Sequence, residues 1–190
     1  MLILYRKKIL TAMEYIKSDI EGVWLLRPRV FGDARGYFME TFSQADFDRN
    51  VAPVRFVQDN QSFSASRGVL RGMHFQKGDA AQAKLVRVVC GKVLDVVFDL
   101  RPDSPTRGRY AKFELSGENN HMLFVPRGLA HGFLVLEENT LFQYKCDNYY
   151  APQAEGSFRW NDPVAAIDWG VDESEVILSE KDSKAPFLQL

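Results

Sequence analysis

A chain of 190 residues, 46% of them hydrophobic, can bury one sizeable core and needs no second domain. Its 24 basic and 25 acidic side chains nearly cancel and form no single-sign block. That excludes a general nucleic-acid or membrane-surface binder, though a few converging arginines would still suit a small anionic ligand.

The N-terminal stretch MLILYRKKILTAMEYIKSD carries its apolar residues before its basic cluster and has no small-residue cleavage site. A secretory signal has the opposite order. No window reaches the apolar length of a membrane span. These features point to a cytoplasmic protein in which residues 1–12 are a non-native or disordered extension and 13–190 form one domain. Cys90 and Cys146 follow no C-x-x-C spacing and sit in strand-like runs, so both are expected to be buried free thiols.

SQADFDRN suits a short helix capped by Ser43. Next, RGVLRGMHFQ places His74 inside an apolar strand run. Strict alternation would set Arg71 and His74 on opposite faces; a bulge at Gly72, or Arg71 projecting at the strand end, would bring them to one. AKLVRVVCGKVLDVVFDLR is two β-branched runs meeting at Cys90-Gly91-Lys92, which reads as a hairpin. YAKFELSGENN adds a strand and a turn, and HMLFVPRGLAHGFLVL two apolar runs broken by Pro126 and Gly128. In NTLFQYKCDNYY, alternation gives Thr140, Phe142, Tyr144 and Cys146 one face. NDPVAAIDWG suits a single helical turn, and LSEKDSKAPFLQL should pack back on the body. Many short strands separated by Gly, Pro, Asn and Asp predict an antiparallel all-β jelly roll, sandwich or barrel, with a few short helices and a cavity between its sheets.

The chemistry is narrowed by what is missing. There is no His-x-His pair for a metal, no G-x-S-x-G elbow and no Gly-rich phosphate loop before a helix. Acid–base groups are left. His74 and His131 both lie in apolar runs, with Lys84, Tyr144 and several arginines in neighbouring strands. Burying so many polar groups costs several kcal/mol unless they meet one another or a ligand. The plainer readings stay open: core histidines, a core aromatic at Tyr144, a solvated strand-edge charge at Lys84.

Seven segments in order, FGDARGYFMETF, FVQDNQSFS, GVLRGMHFQ, AKLVRVVCGKVLDVVFDLRPDSPTRGRY, PRGLAHGFLVL, FQYKCDNYYAP and LSEKD, resemble the dTDP-4-dehydrorhamnose 3,5-epimerase family. The resemblance spans roughly Met13 to Pro186. It implies a cupin-type jelly roll without metal or cofactor, and a homodimer in which N-terminal strands cross to the partner. The implied reaction takes dTDP-4-dehydro-6-deoxy-D-glucose to dTDP-4-dehydro-L-rhamnose through enolates. By the same resemblance His74 is the base, Asp182 the carboxylate orienting it, Lys84 the cation near the ketone oxygen and Tyr144 the acid on the far face. Arg35, Phe38, Glu40, Gln58, Asp59, Asn60, Arg71, His131, Glu155 and Lys181 match substrate-binding positions, Arg71 facing the diphosphate, and Tyr150 the aromatic that stacks on thymine. The alternatives are an epimerase acting at C3 or C5 alone on a related 4-keto nucleotide sugar, a metal-dependent cupin and a non-catalytic sugar-nucleotide binder. Tyr144 favours double inversion, because it names a donor for the far face.

Overall fold

The computed structural model describes residues 12–189; residues 1–11, nearly all of the expected extension, lie outside the described residues. Two antiparallel sheets face each other. The first contains β1 (Met13–Lys17), β2 (Trp24–Pro28), β5 (Gln58–Ser64), β7 (Lys84–Cys90), β10 (Met122–Val125) and β12 (Thr140–Cys146), in the order β1-β2-β10-β7-β12-β5. The second contains β6 (Leu70–Gln76), β8 (Lys92–Asp99), β9 (Tyr110–Ser116), β11 (Leu129–Val135) and β13 (Glu155–Ser157), in the order β13-β6-β11-β8-β9. A separate two-stranded ribbon pairs β3 (Phe31–Asp33) with β4 (Gly36–Phe38). The jelly roll expected from the spacing of strands is the fold observed.

Apolar residues sit in three layers. Val86, Val88, Leu123 and Phe142 of the first sheet meet Val93, Val97, Leu129 and Phe133 of the second in the inter-sheet core. The outer face of the second sheet is covered by Phe158, Trp160, Ile167 and Trp169 from the C-terminal segment. The outer face of the first is covered around Leu85, Met122 and Phe124 by Phe47, the one buried residue of α1 (Gln44–Asn50). A strand covered on both sides reads as an unbroken apolar run, which is why LAHGFLV in β11 is buried throughout.

Local expectations hold where the signal is local. Ser43 caps α1, its hydroxyl accepting from the Asp46 amide at 3.4 Å. In NDPVAAIDWG the Asp162 side chain accepts from the amides of Val164 and Ala165 and closes a turn. Its other oxygen accepts from the Leu188 amide at 2.7 Å, holding the C-terminal segment against the body.

The Cys90-Gly91-Lys92 hairpin is not formed. β7 pairs with β10 and β12, and β8 with β11 and β9, so the two runs belong to opposite sheets. Gly91, at φ 80°, turns the corner against Thr140, where a side chain would collide, and Val88 and Val93 meet within the core instead of flanking a turn. The expected burial of both cysteines holds for Cys146 alone. Both thiols are free and Cys146 is buried, but Cys90 is exposed, because it ends β7 where the chain leaves the sheet.

One irregularity sets up the cavity. On β11 and β6, His131 is opposite His74 while Phe133 is opposite Arg71, so β6 holds one residue more than its partner between these pairs. Gly72 stands in that step at φ 134°, and a Cβ there would lie 2.5 Å from Gly132 Cα. The extra residue cancels the expected parity, and Arg71 and His74 line the same cavity.

Candidate active site

The cavity opens between the sheets in two lobes of about 270 and 260 Å³ that share His74, Lys84 and Tyr144 on their walls. His74 comes from β6 of the second sheet; Lys84 and Tyr144 come from β7 and β12 of the first. The imidazole and the phenol therefore project into one space from opposite walls.

His74 is oriented from the C-terminal segment. Its Nε2 lies 2.5 Å from Asp182 Oδ1. Asp182 is on α2 (Glu180–Ser183), whose N-cap Ser179 accepts from the Asp182 amide and donates its hydroxyl to Asp182 Oδ2 at 2.8 Å. Burial alone would raise the Asp182 carboxyl. The hydrogen bonds from His74 and Ser179 and the charges of His74 and Lys181 outweigh it and hold the group below the usual carboxylate range. With Nε2 engaged by the carboxylate, Nδ1 is the nitrogen left to accept a proton.

Lys84, opposite Cys146 in the β7–β12 register, makes no ion pair among the described residues. Burial lowers its pKa, partly offset by Cys146, Asp95 and Glu155. Its Nζ lies 5.9 Å from the Tyr144 ring centroid. Burial raises the Tyr144 pKa, with Cys146 adding to the effect, so the phenol keeps its proton at neutral pH and can donate it.

The inner lobe adds Ser62, Arg71, His131, Phe133, Phe142 and Lys181. Phe133 and Phe142 stack with centroids 4.2 Å apart and give it an apolar floor. Ser62 Oγ and Arg71 Nε are buried there with no hydrogen-bond partner among the described residues. The outer lobe is lined by Gln58, Asn60, Gln76, Gln82, Tyr150 and Glu155. A chain of contacts closes its rim: Lys181 Nζ meets Glu155 Oε1 at 2.5 Å, and the Tyr150 hydroxyl donates to Glu155 Oε2 at 3.3 Å.

Eleven of the residues singled out in the sequence thus share one cavity: His74, Asp182, Lys84, Tyr144, Arg71, His131, Lys181, Glu155, Tyr150, Gln58 and Asn60. Four do not line it. Asp59 alternates with Gln58 and Asn60 on β5 and so faces outward, 2.9 Å from Lys145 Nζ. Arg35 and Phe38 stand on the β3–β4 ribbon; the Arg35 side chain is 90% exposed and, among the described residues, bonded only to Asp33, and Phe38 is 70% exposed. Glu40 follows the ribbon toward Tyr15. Sequence reasoning passed over Ser62, two steps along the Gln58–Asn60 face, where alternation was the available signal. It also passed over Asp95, whose signal was an acid inside the β-branched run VLDVVF. Asp95 is wholly buried, with His131 Nε2 3.0 and 2.9 Å from its two carboxylate oxygens. Among the described residues no three His, Cys, Asp or Glu gather in a metal-binding cluster, and no helix is long and apolar enough to cross a membrane.

Comparison with known proteins decides the family. The model of dTDP-4-dehydrorhamnose 3,5-epimerase matches residues 17–189. The chain belongs to the dTDP-4-dehydrorhamnose 3,5-epimerase family. The dTDP-4-dehydrorhamnose 3,5-epimerase of Escherichia coli K12 is 50% identical over 173 residues, covering 90% of this chain and 92% of that protein. The crystal structure of the epimerase from Elizabethkingia anophelis NUHP1 superposes with a TM-score of 0.88 at 47% identity, covering 93% of this chain and 97% of that one. A dTDP-6-deoxy-D-glucose-3,5-epimerase from Legionella pneumophila Philadelphia 1, solved in complex with dTDP-4-keto-L-rhamnose, superposes at 0.87 with 43% identity and covers 92% of each chain. Membership in the 3,5-epimerase family makes the chain an isomerase, and the jelly roll is the fold it shares with these relatives.

Proposed function

We propose that this cavity inverts C3 and C5 of dTDP-4-dehydro-6-deoxy-D-glucose to give dTDP-4-dehydro-L-rhamnose. The observation that carries the reading is the placement of His74 and Tyr144 on opposite sheets of one cavity, with Lys84 beside the tyrosine. A C4 ketone acidifies the hydrogens on both neighbouring carbons, since either carbanion delocalises onto the C4 oxygen. Inversion requires removal of a proton from one face of the ring and delivery from the other.

In this arrangement His74 Nδ1 takes the proton from C3 or C5, and the Asp182 carboxylate steadies the resulting imidazolium. The Lys84 ammonium, in no ion pair among the described residues, meets the charge developing on the C4 oxygen. The Tyr144 hydroxyl then gives its proton to the carbon from the opposite side, and solvent restores both groups. A positioned acid or base typically contributes about 10² to 10⁴-fold, and an enolate stabiliser about 10² to 10³-fold. No one of these groups suffices alone.

Around the reacting ring, Arg71 brings an unpartnered Nε–H, suited to a phosphate oxygen of the diphosphate. Tyr150, at the outer rim with Gln58, Glu155 and Lys181, offers an exposed ring for thymine. The working unit is a homodimer. Its support is the β3–β4 ribbon, where Phe31, Tyr37 and Phe38 are 46, 59 and 70% exposed and Arg35 is turned away from this chain's own cavity. A second copy supplies the surface that such a ribbon lacks, bringing Arg35, Phe38 and Glu40 to the partner's site.

The test is incubation with dTDP-4-dehydro-6-deoxy-D-glucose in D₂O, reading deuterium at C3 and C5. Label at both carbons is expected. Label at one carbon would make the chain a mono-epimerase, and none would overturn the reading.

A further inference from the structure

Asp95 is an acid in the wrong place for solvent. It lies in the middle of β8 on the face that also carries Val93 and Val97, inside the inter-sheet core and 0% exposed. An ionised carboxyl is costly there unless donors hold it. Burial pushes the Asp95 pKa up, opposed by the charge and hydrogen bond of His131 and by the charge of Lys84; His131 Nε2 lies 3.0 and 2.9 Å from the two oxygens. A ring nitrogen nearly equidistant from both oxygens fits an N–H directed between two acceptors. A protonated carboxyl would instead meet a bare nitrogen through one oxygen alone. The geometry thus favours Nε2 as the bearer of the hydrogen and Nδ1 as the bearer of the lone pair.

That assignment gives the inner lobe a polarity. His131 Nδ1 has no hydrogen-bond partner among the described residues, and His131 lines the lobe together with the unpartnered Ser62 Oγ and Arg71 Nε. Beneath them is the stacked Phe133–Phe142 pair. An acceptor, a donor and a hydroxyl above an apolar floor match a hexose ring, whose C–H face suits the aromatic rings and whose hydroxyl edge needs both kinds of partner.

We propose that Asp95 is a positioning residue for substrate recognition: it touches no substrate, but by holding His131 Nε2–H it presents Nδ1 as the acceptor for a ring hydroxyl. This rests on the epimerase reading only for the identity of the ring. The hydroxyl oxygen carries no charge developed in the enolate, so the hydrogen bond serves ground state and transition state alike and acts chiefly through KM.

The first measurement is nitrogen-15 NMR of the wild-type protein, with the His131→Gln variant identifying the His131 signals among three histidines. The expected result is a neutral imidazole protonated at Nε2, with its Nδ1 resonance moving when the nucleotide sugar binds. The opposite tautomer, an imidazolium, or an Nδ1 signal unmoved by substrate would overturn the proposal. The second measurement is the kinetics of Asp95→Asn and Asp95→Leu, with folding checked by the same spectra. In Asp95→Leu, which removes every acceptor, KM should rise about tenfold, the worth of one hydrogen bond, and the Nε2–H tautomer should no longer dominate; Asp95→Asn, whose amide oxygen still accepts from Nε2–H, should fall between Asp95→Leu and wild type. A KM within about twofold of wild type in folded Asp95→Leu would refute the role. Deuterium uptake by the wild-type enzyme is measured alongside. If that fails while the tautomer is as expected, it is the epimerase reading that falls and not the Asp95–His131 geometry.

Discussion

His74 and His131 are register partners across β6 and β11, and each is gripped at Nε2 by a carboxylate, Asp182 at 2.5 Å and Asp95 at 2.9 Å. The two carboxylates arrive from different directions. Asp182 reaches the cavity from α2 behind a serine cap, while Asp95 rises from the sheet itself. Removing the Asp182 charge should leave His74 in place but weaken its protonated form. Asp182→Asn is expected to slow deuterium exchange at both C3 and C5 by on the order of 10² to 10⁴-fold, and His74→Asn to abolish it. Exchange within about tenfold of wild type in Asp182→Asn would remove the carboxylate from the mechanism.

Tyr144 donates from the sheet facing His74, so its loss should separate removal of a proton from its replacement. Tyr144→Phe is expected to impair inversion at C5 most, by on the order of 10² or more, while His74-dependent exchange at C3 persists. Product stereochemistry and deuterium position, read by proton NMR, check this. Unchanged C5 inversion would transfer the acid role to another group.

Gly72 and Gly36 share a similar backbone conformation, at φ 134° and 133°, but differ in surroundings. A Cβ on Gly36 meets nothing within 4 Å, whereas one on Gly72 strikes Gly132 Cα at 2.5 Å. Gly36→Ala should therefore show conformational strain alone, on the order of 1 kcal/mol. Gly72→Ala should lose roughly 3 kcal/mol and most of its activity, since the same step positions Arg71 and His74. Denaturant melts of both variants decide it; equal losses would mean that the approach to Gly132 is not limiting.

Asp99 should make stability acid-sensitive. It accepts from Arg101 Nε and Nη2, Ser104 Oγ and Thr106 Oγ1 in a wholly buried position. Burial pushes the carboxyl up, but these hydrogen bonds outweigh it and hold it well below the usual range. A depressed folded pKa means that the unfolded chain takes up the proton first. The contribution is thus fully present above the unfolded pKa, about 3.9, and is lost as pH falls below it. Asp99→Asn should cost on the order of 3 kcal/mol at neutral pH, and the gap to wild type should narrow as pH falls below about 4. Unfolding free energies compared at neutral pH and at about pH 3 test the sign; a constant gap would be the wrong one.

The ribbon carrying Arg35 gives a test that needs no dimer structure. Arg35→Ala and His74→Asn, each impaired alone, should restore activity when unfolded and refolded together. If sites are shared between subunits, random pairing leaves about a quarter of them with both wild-type groups. If each chain completes its own site, mixing recovers nothing.

Features that depend on near neighbours in the chain were legible without coordinates. Alternation put Phe142 and Tyr144 on one face of β12, the one that lines the cavity, Ser43 announced α1, and seven ordered motifs identified the family. Alternation also contained what was overlooked, since it turns Asp59 outward and Ser62 inward on β5. What only the tertiary structure decided was pairing. β7 and β8 adjoin in sequence yet enter opposite sheets, because a run buried on both faces does not reveal which strands will flank it. The slip between β6 and β11 brings Arg71 and His74 to one wall, and it depends on Gly72 meeting Gly132, a contact between strands far apart in the chain. Asp95 became a partner for His131 in the same way. Side-chain period is a property of one strand and is written in its residues; register is a property of two, and it is set by which backbones can approach closely enough to pair.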